Sequence, residues 1–232
     1  MSDAPEYGET WVYESIVGAL PGVNISEAGA IALQVAIFEV AVLALAWVYD
    51  LWAAAVAGTA AVVVAAVGSI VMLRMGQLTR AAAVPGPYRR LLFGSSIEVV
   101  LAVLAFVALV THLFVFDGRQ TAVPLVTVLF GPEPPVVVVY LMLLVLWDLC
   151  YRIGTSWWAA VVGLWGVLRY RFDDPTAKTV GRVNLLNVGF GAAQLLLVPF
   201  LHDQPILLVA VGGHVVAVTI VSGVAATLVR IR

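Results

Sequence analysis

Long hydrophobic runs separated by short polar segments dominate the chain. A helix needs about 20 apolar residues to cross the hydrocarbon core of a bilayer, so we marked runs of about that length. The runs at 27–49 and 52–73 are nearly continuous, and we expect the chain to reverse at Tyr49–Asp50. The pattern predicts seven transmembrane helices, at residues 27–49, 52–73, 91–115, 135–151, 154–170, 183–201 and 206–229.

These runs predict an all-α protein, a polytopic transmembrane helix bundle in which residues 26–232 form one domain. Residues 1–25 are an acidic segment whose apolar spacing suits a short helix on the headgroups, with a coil as the alternative. The segment at 121–135 is too short to cross and is broken by prolines. It predicts a surface loop, with a re-entrant half-helix as the alternative.

Composition supports membrane insertion. Hydrophobic residues make up 62% of the chain, charged residues 11%, and the mean hydropathy is +1.05. A soluble domain of this size cannot bury that much apolar surface, so the bilayer is the expected partner and the cell (plasma) membrane the expected location, with multiple passes. The net charge of −2 argues against nucleic acid. A single cysteine, Cys150, excludes an intrachain disulfide.

Basic residues form two clusters, at 74–90 and 169–182. Three predicted crossings lie between them, which would place the clusters on opposite sides of the membrane. Loops rich in Arg and Lys normally stay on the cytoplasmic side, so the pattern conflicts with the predicted helices. Either one helix is wrong, or two halves of three helices have opposite topology, followed by a seventh helix.

A short internal match favours such an inverted repeat. WAAAVAG at 52–58 and WWAAVVG at 157–163 agree at five of seven positions. The alternative is a seven-helix bundle without a repeat, in which Ala, Val and Trp coincide because they are common.

Polar residues inside the predicted helices are candidates for function, because each carboxylate opposes membrane insertion by about 2.5–3.5 kcal/mol at a helix centre. Glu39, with Gln34 near it, lies in the first helix, and Glu98 lies in the third. These residues predict an ion or proton path; the alternative is that they hydrogen-bond to neighbouring helices and serve packing. Asn187, Gln194 and His214 in the last two helices have the same two interpretations.

Asp148 and Arg152 are four residues apart in one of the most apolar stretches, VLWDLCYRIGTSWW. Because Gly154–Ser156 offers a reversal between the fourth and fifth helices, we expect the pair at a helix end near the interface. There it would anchor the helix beside an aromatic belt. The alternative is a gate at the mouth of a pathway.

No cofactor or metal is expected. The three histidines lie at depths that match poorly for a haem with two axial imidazoles. The last helix contains no lysine for a retinal Schiff base, since Lys178 lies in a loop. Phosphate-binding, zinc-protease and serine-nucleophile motifs are missing from the sequence, which disfavours an enzyme without excluding one.

The stretch DLCYRIGTSWWAAVVGLW, the excess of Arg over Lys and the abundance of Ala and Val resemble uncharacterised multi-spanning membrane proteins of halophilic archaea. That resemblance implies no activity. We predict a small-ion or proton channel or transporter. The alternative is a non-transporting scaffold or partner subunit that forms homo-oligomers or binds other membrane subunits through the glycine-containing helix at 206–229.

Overall fold

The computed structural model describes residues 10–11, 26–120 and 123–231. These residues are helical without a strand, which confirms the predicted all-α fold. Their six candidate membrane spans are Glu27–Tyr49, Trp52–Ala81, Gly86–Arg119, Val136–Arg169, Asp174–Phe200 and Pro205–Val229. The chain is a multi-pass membrane protein with one span fewer than the sequence predicts.

The first two spans form the predicted hairpin. Helix α1 is Glu27–Tyr49 and α2 is Trp52–Ala81. The Ser26 hydroxyl caps α1 by accepting a hydrogen bond from the amide of Gly29 at 3.1 Å. Asp50 has a φ of 55°, the left-handed conformation that ends many helices, and it reverses the chain where the pattern predicts.

The third span is built from several helical pieces. They are α3 (Gly86–Phe93), α4 (Ile97–Thr111), a π-helix (His112–Phe116) and α5 (Asp117–Gln120). In the last turn of α3, the carbonyls of Leu91 and Leu92 accept hydrogen bonds from the indoles of Trp158 and Trp11, at 3.0 and 3.2 Å. Indole donors thus satisfy backbone groups at this break.

Helix α7, Val136–Arg169, is one helix of 34 residues. The predicted reversal at Gly154–Ser156, and with it the separate spans 135–151 and 154–170, is therefore wrong. In this helix the Thr155 hydroxyl donates to the Tyr151 carbonyl at 2.9 Å. A Cβ on Gly154 would lie 2.8 Å from the amide nitrogen of Ala102. These small residues bring α7 and α4 together instead of turning the chain.

The remaining helices complete the bundle around α7. They are α6 (Leu125–Phe130), α8 (Asp174–Ala193) with a 3₁₀ extension (Gln194–Phe200), and α9 (Pro205–Ile231). Val126 of α6 is buried with Leu113 and Leu207, which lie near the ends of their spans. This placement favours a surface segment over a re-entrant half-helix for residues 123–135.

The N-terminal prediction lies mostly outside the described residues. Of the predicted interfacial helix (Trp11, Val12, Ser15, Ile16 and Leu20), the structure describes Trp11 alone. That side chain is buried against Phe93, with ring centroids 4.9 Å apart, so it packs against the bundle. The interfacial helix stays a prediction.

The single helix α7 removes the conflict between the basic clusters. Two crossings now separate residues 74–90 from 169–182, so both clusters lie on one side, which we call the basic side. Arg119 flanks the other side, which we call the opposite side, together with four acidic residues: Asp50, Asp117, Glu133 and Asp203. The proposed repeat loses its support, because WAAAVAG begins α2 whereas WWAAVVG lies in the second half of α7.

We expect the basic side to face the cytoplasm, because Arg and Lys loops are retained there. In a Cys150→Ser background, cysteines at Ala83 and Asp173 should resist a membrane-impermeant maleimide applied to intact cells. Cysteines at Glu133 and Asp203 should react. All four positions are exposed, so labelling after permeabilisation is the control. The reverse pattern would contradict this orientation.

We expect Gly154→Ala to destabilise the bundle by about 1–3 kcal/mol, the usual penalty of overpacking, because the new methyl group meets the backbone of α4. The matched control is Gly189→Ala, where a Cβ would meet nothing within 4 Å. Unfolding in mixed micelles measures both. Equal stability of the two variants would show that the close approach at Gly154 is unimportant.

Candidate functional site

A charged pair lies halfway along α7. The Arg152 guanidinium donates through Nη2 to Oδ1 of Asp148 at 2.9 Å, one helical turn away. The sequence prediction placed this pair at a helix end near the interface. Because α7 continues for about three turns before Asp148 and more than four turns after Arg152, the pair lies near the middle of the membrane instead.

Arg152 is almost fully enclosed, with 3% of its side chain exposed. Its Nη1 points to the Met72 sulfur at 3.5 Å, and its guanidinium carbon lies 5.5 Å from the ring centroid of Tyr151. Nε has no hydrogen-bond partner among the described residues. The charge of Arg152 is therefore neutralised by Asp148 and further stabilised by soft or aromatic groups.

Asp148 also connects two helices. Its second oxygen, Oδ2, accepts a hydrogen bond from the Gln34 amide of α1 at 3.1 Å. A cavity of about 10 Å³ lies beside this contact, lined in part by Ser69 of α2. That volume is at the lower limit for one water molecule. We call Gln34, Met72, Asp148 and Arg152 the Arg152 network.

Glu39 belongs to the α1–α2 hairpin. Its carboxylate accepts a hydrogen bond from the Thr59 hydroxyl at 2.8 Å, and the side chain is half-buried. Both residues lie ten positions from Tyr49, on either arm of the hairpin. That equal spacing is a sequence signal from which the pair could have been predicted.

Glu98 is in a different environment. It is fully buried, and neither carboxylate oxygen has a hydrogen-bond partner among the described residues. Its backbone carbonyl faces Gly154, at 3.0 Å from the position that a Cβ there would occupy. The two glutamates that the sequence suggested for one path thus have different neighbours on different helices.

Asn187 connects α7, α8 and α9. Its amide donates to the carbonyl of Ser156 at 2.9 Å and to the hydroxyl of Ser222 at 3.0 Å, and its oxygen accepts from the Ser156 hydroxyl at 2.8 Å. All three side chains are buried. This arrangement matches the packing interpretation. The sequence pattern predicts a turn at Ser156, and the structure instead places Ser156 in α7, one helical turn after Arg152.

Gln194 and His214 form a further contact. The amide nitrogen of Gln194 lies 3.5 Å from Nε2 of His214, and the Trp157 ring lies 6.1 Å from the imidazole, between centroids. Gln194 is completely buried, and its side-chain oxygen has no hydrogen-bond partner among the residues that the structure describes. These two residues are therefore neighbours, separate from the Arg152 network.

A larger cavity lies between the Arg152 network and the opposite side. Its volume is about 210 Å³, and its walls come from α1, α2, α4, α6, α7, α9, the π-helix and the 3₁₀ extension. We call it the apolar cavity, because its lining residues are Val, Leu, Ala, Gly, Phe and Met. Glu39, Glu98 and Asn187 do not line it.

Among the residues that the structure describes, no group of three or more His, Cys, Asp or Glu side chains could hold a metal ion. The absence of haem, retinal and other cofactors stays a prediction from sequence.

Comparison with known protein families identifies the family of the chain. A model of a family of unknown function, DUF7530, matches residues 6–225. No curated protein and no solved structure matches the chain. The resemblance to membrane proteins of halophilic archaea stays a prediction.

We expect Asp148→Asn to destabilise the folded protein by about 3–5 kcal/mol, because it leaves the buried Arg152 cation without its counter-charge. The double variant Asp148→Asn with Arg152→Met should recover most of that loss. Equilibrium unfolding in mixed micelles measures the three proteins.

The matched control is Asp174→Asn, which breaks the exposed pair of Asp174 and Lys178 with the same four-residue spacing on α8. This change should leave stability unaltered, since exposed ion pairs contribute little. An equally small effect of Asp148→Asn would contradict the assigned role of the central pair.

Proposed function

The chain belongs to DUF7530, a family of unknown function, and we propose that it is a non-transporting scaffold or partner subunit of a larger membrane assembly. The observation that carries this proposal is the separation of the residues expected to form a path. A conducting route needs polar groups along one continuous water-accessible passage. Glu39, Glu98 and Asn187 have different neighbours, and the larger cavity is lined by apolar residues instead.

The central charges also support a structural role. Both oxygens of Asp148 are engaged, one by Arg152 and one by Gln34. A pair satisfied from within the bundle holds helices together without presenting its charge to a passing ion. The hydrogen bonds of Asn187 join α8 and α9 to α7 in the same way.

Surfaces for a partner remain on the outside of the bundle. In α9, a Cβ added at Gly212, Gly213 or Gly223 would meet nothing within 4 Å. Glycines with free space in front of them let a second transmembrane helix approach closely. These positions support assembly through residues 206–229, as the sequence suggested. We place the protein in the cell membrane with its basic side toward the cytoplasm.

A second candidate function is movement of a proton or small ion. It is favoured by Glu98, a fully buried carboxyl group whose oxygens have no hydrogen-bond partner in the described residues. Ionisable groups inside a membrane commonly mark such pathways. In this alternative, Glu98 would exchange the ion and the bundle would open to let it pass.

We expect liposomes that contain the purified protein to take up protons, Na⁺, K⁺ and Cl⁻ no faster than empty liposomes. The second experiment places a cysteine at Gly213 in a Cys150→Ser background. In native membranes, a short thiol crosslinker should join this cysteine to a neighbouring protein and give an adduct heavier than the monomer. Its matched control is a cysteine at Val100, which is exposed on another span.

Two results would contradict the scaffold function. One is flux through the parent protein that disappears in a folded Glu98→Gln variant, which would favour the second candidate. The other is the absence of any adduct specific to Gly213. A Glu39→Gln variant tests whether the carboxyl group of the α1–α2 hairpin contributes to any flux observed.

A further inference from the structure

The apolar cavity extends along α7 over about half of the membrane. Its lining begins at Val138 and ends at Leu149, eleven residues later, which corresponds to about 16 Å of helix. The hydrocarbon core of a bilayer is about 30 Å thick, so this length is that of one leaflet. Leu149 follows Asp148 in the chain, so the cavity ends at the level of the Arg152 network, although no residue of that network lines it.

The lining favours a hydrocarbon ligand over water. It presents methyl, methylene and phenyl groups, and its polar surface is negligible. A water molecule needs two or more polar partners, and engineered apolar cavities of about 150 Å³ stay dry and bind benzene. The cavity of 210 Å³ has room for a longer hydrocarbon group.

Small residues on α2 create this space. Ala54, Gly58 and Ala61 are spaced by four and three residues, so they share one face of the helix and line the cavity together. A Cβ on Gly58 would lie 3.2 Å from a methyl group of Val42 on α1. Large side chains at these positions would fill the space between α2 and α7.

We propose that the apolar cavity binds one hydrocarbon chain of a bilayer lipid from the leaflet on the opposite side. Three observations determine this ligand class: the lining is apolar, its length equals that of one leaflet, and it lies at the depth where lipid chains surround the spans. The polar headgroup remains at the opposite side, near α6, while the chain end approaches Val145 and Leu149. The inference is independent of the proposed scaffold function.

The test uses nanodiscs of phosphatidylcholine that include a phosphatidylcholine with a diazirine halfway along one acyl chain. After illumination, peptide mass spectrometry should find lipid adducts on Leu141 and Val145, which line the cavity. Ala54→Phe and Ala61→Phe should each reduce these adducts several-fold by filling the space. Circular dichroism and gel filtration establish that each variant is folded. Two variants are used so that the test can still be made if one of them does not fold.

The matched control is Ala53→Phe, the neighbouring residue, which is exposed and does not line the cavity. It should leave the adducts unchanged. Adducts confined to exposed residues of α7 such as Val137 and Leu144 would overturn the proposal, as would adducts on Leu141 and Val145 that persist in both folded phenylalanine variants.

Discussion

The continuity of α7 is the constraint on which the rest of the structure depends. Within a bilayer the backbone has no water to bond, so a chain that interrupted its helix at Gly154–Ser156 would leave amides and carbonyls unpaired at membrane depth. The helix instead continues for 34 residues. Gly154 allows α4 to approach closely, and Ser156 forms a hydrogen bond with Asn187 of α8. Residues typical of a turn in water therefore become contact residues in this helix.

An uninterrupted α7 also brings an arginine to the middle of the membrane, and the neighbouring helices supply its environment. Asp148, one turn earlier, provides the counter-charge, and α1 and α2 contribute Gln34 and Met72. Arg152 binds one carboxylate oxygen of Asp148, and the amide of Gln34 on α1 binds the other. The charged pair therefore also holds α1 against the bundle. That contact matters because α1 buries few of its own side chains.

Much of the helical architecture follows from the sequence, because hydrophobic length alone identifies a membrane span. The prediction matched both ends of α1 and the start of α2, where Asp50 ends an apolar run. It failed at α7, because glycine, threonine and serine predict a turn unless the neighbouring helix that covers them is known. The two basic clusters already indicated an error in the number of crossings. The contact between Arg152 and Met72 could not be derived from hydrophobicity, since it depends on how α2 and α7 rotate against each other.

The two halves of the bundle are packed differently, and the Arg152 network lies between them. Toward the basic side, large aromatic residues fill the core, among them Trp11, Tyr88 and Phe93. Toward the opposite side, the core is aliphatic and contains the apolar cavity. Val145 lines both this cavity and the small cavity beside Asp148. The side chain of Val145 therefore stands between a hydrocarbon group in the apolar cavity and the small cavity beside Asp148. The same stretch of α7 thus contributes an apolar wall toward the opposite side and, from Asp148 and Arg152, the polar contacts that hold α1 and α2.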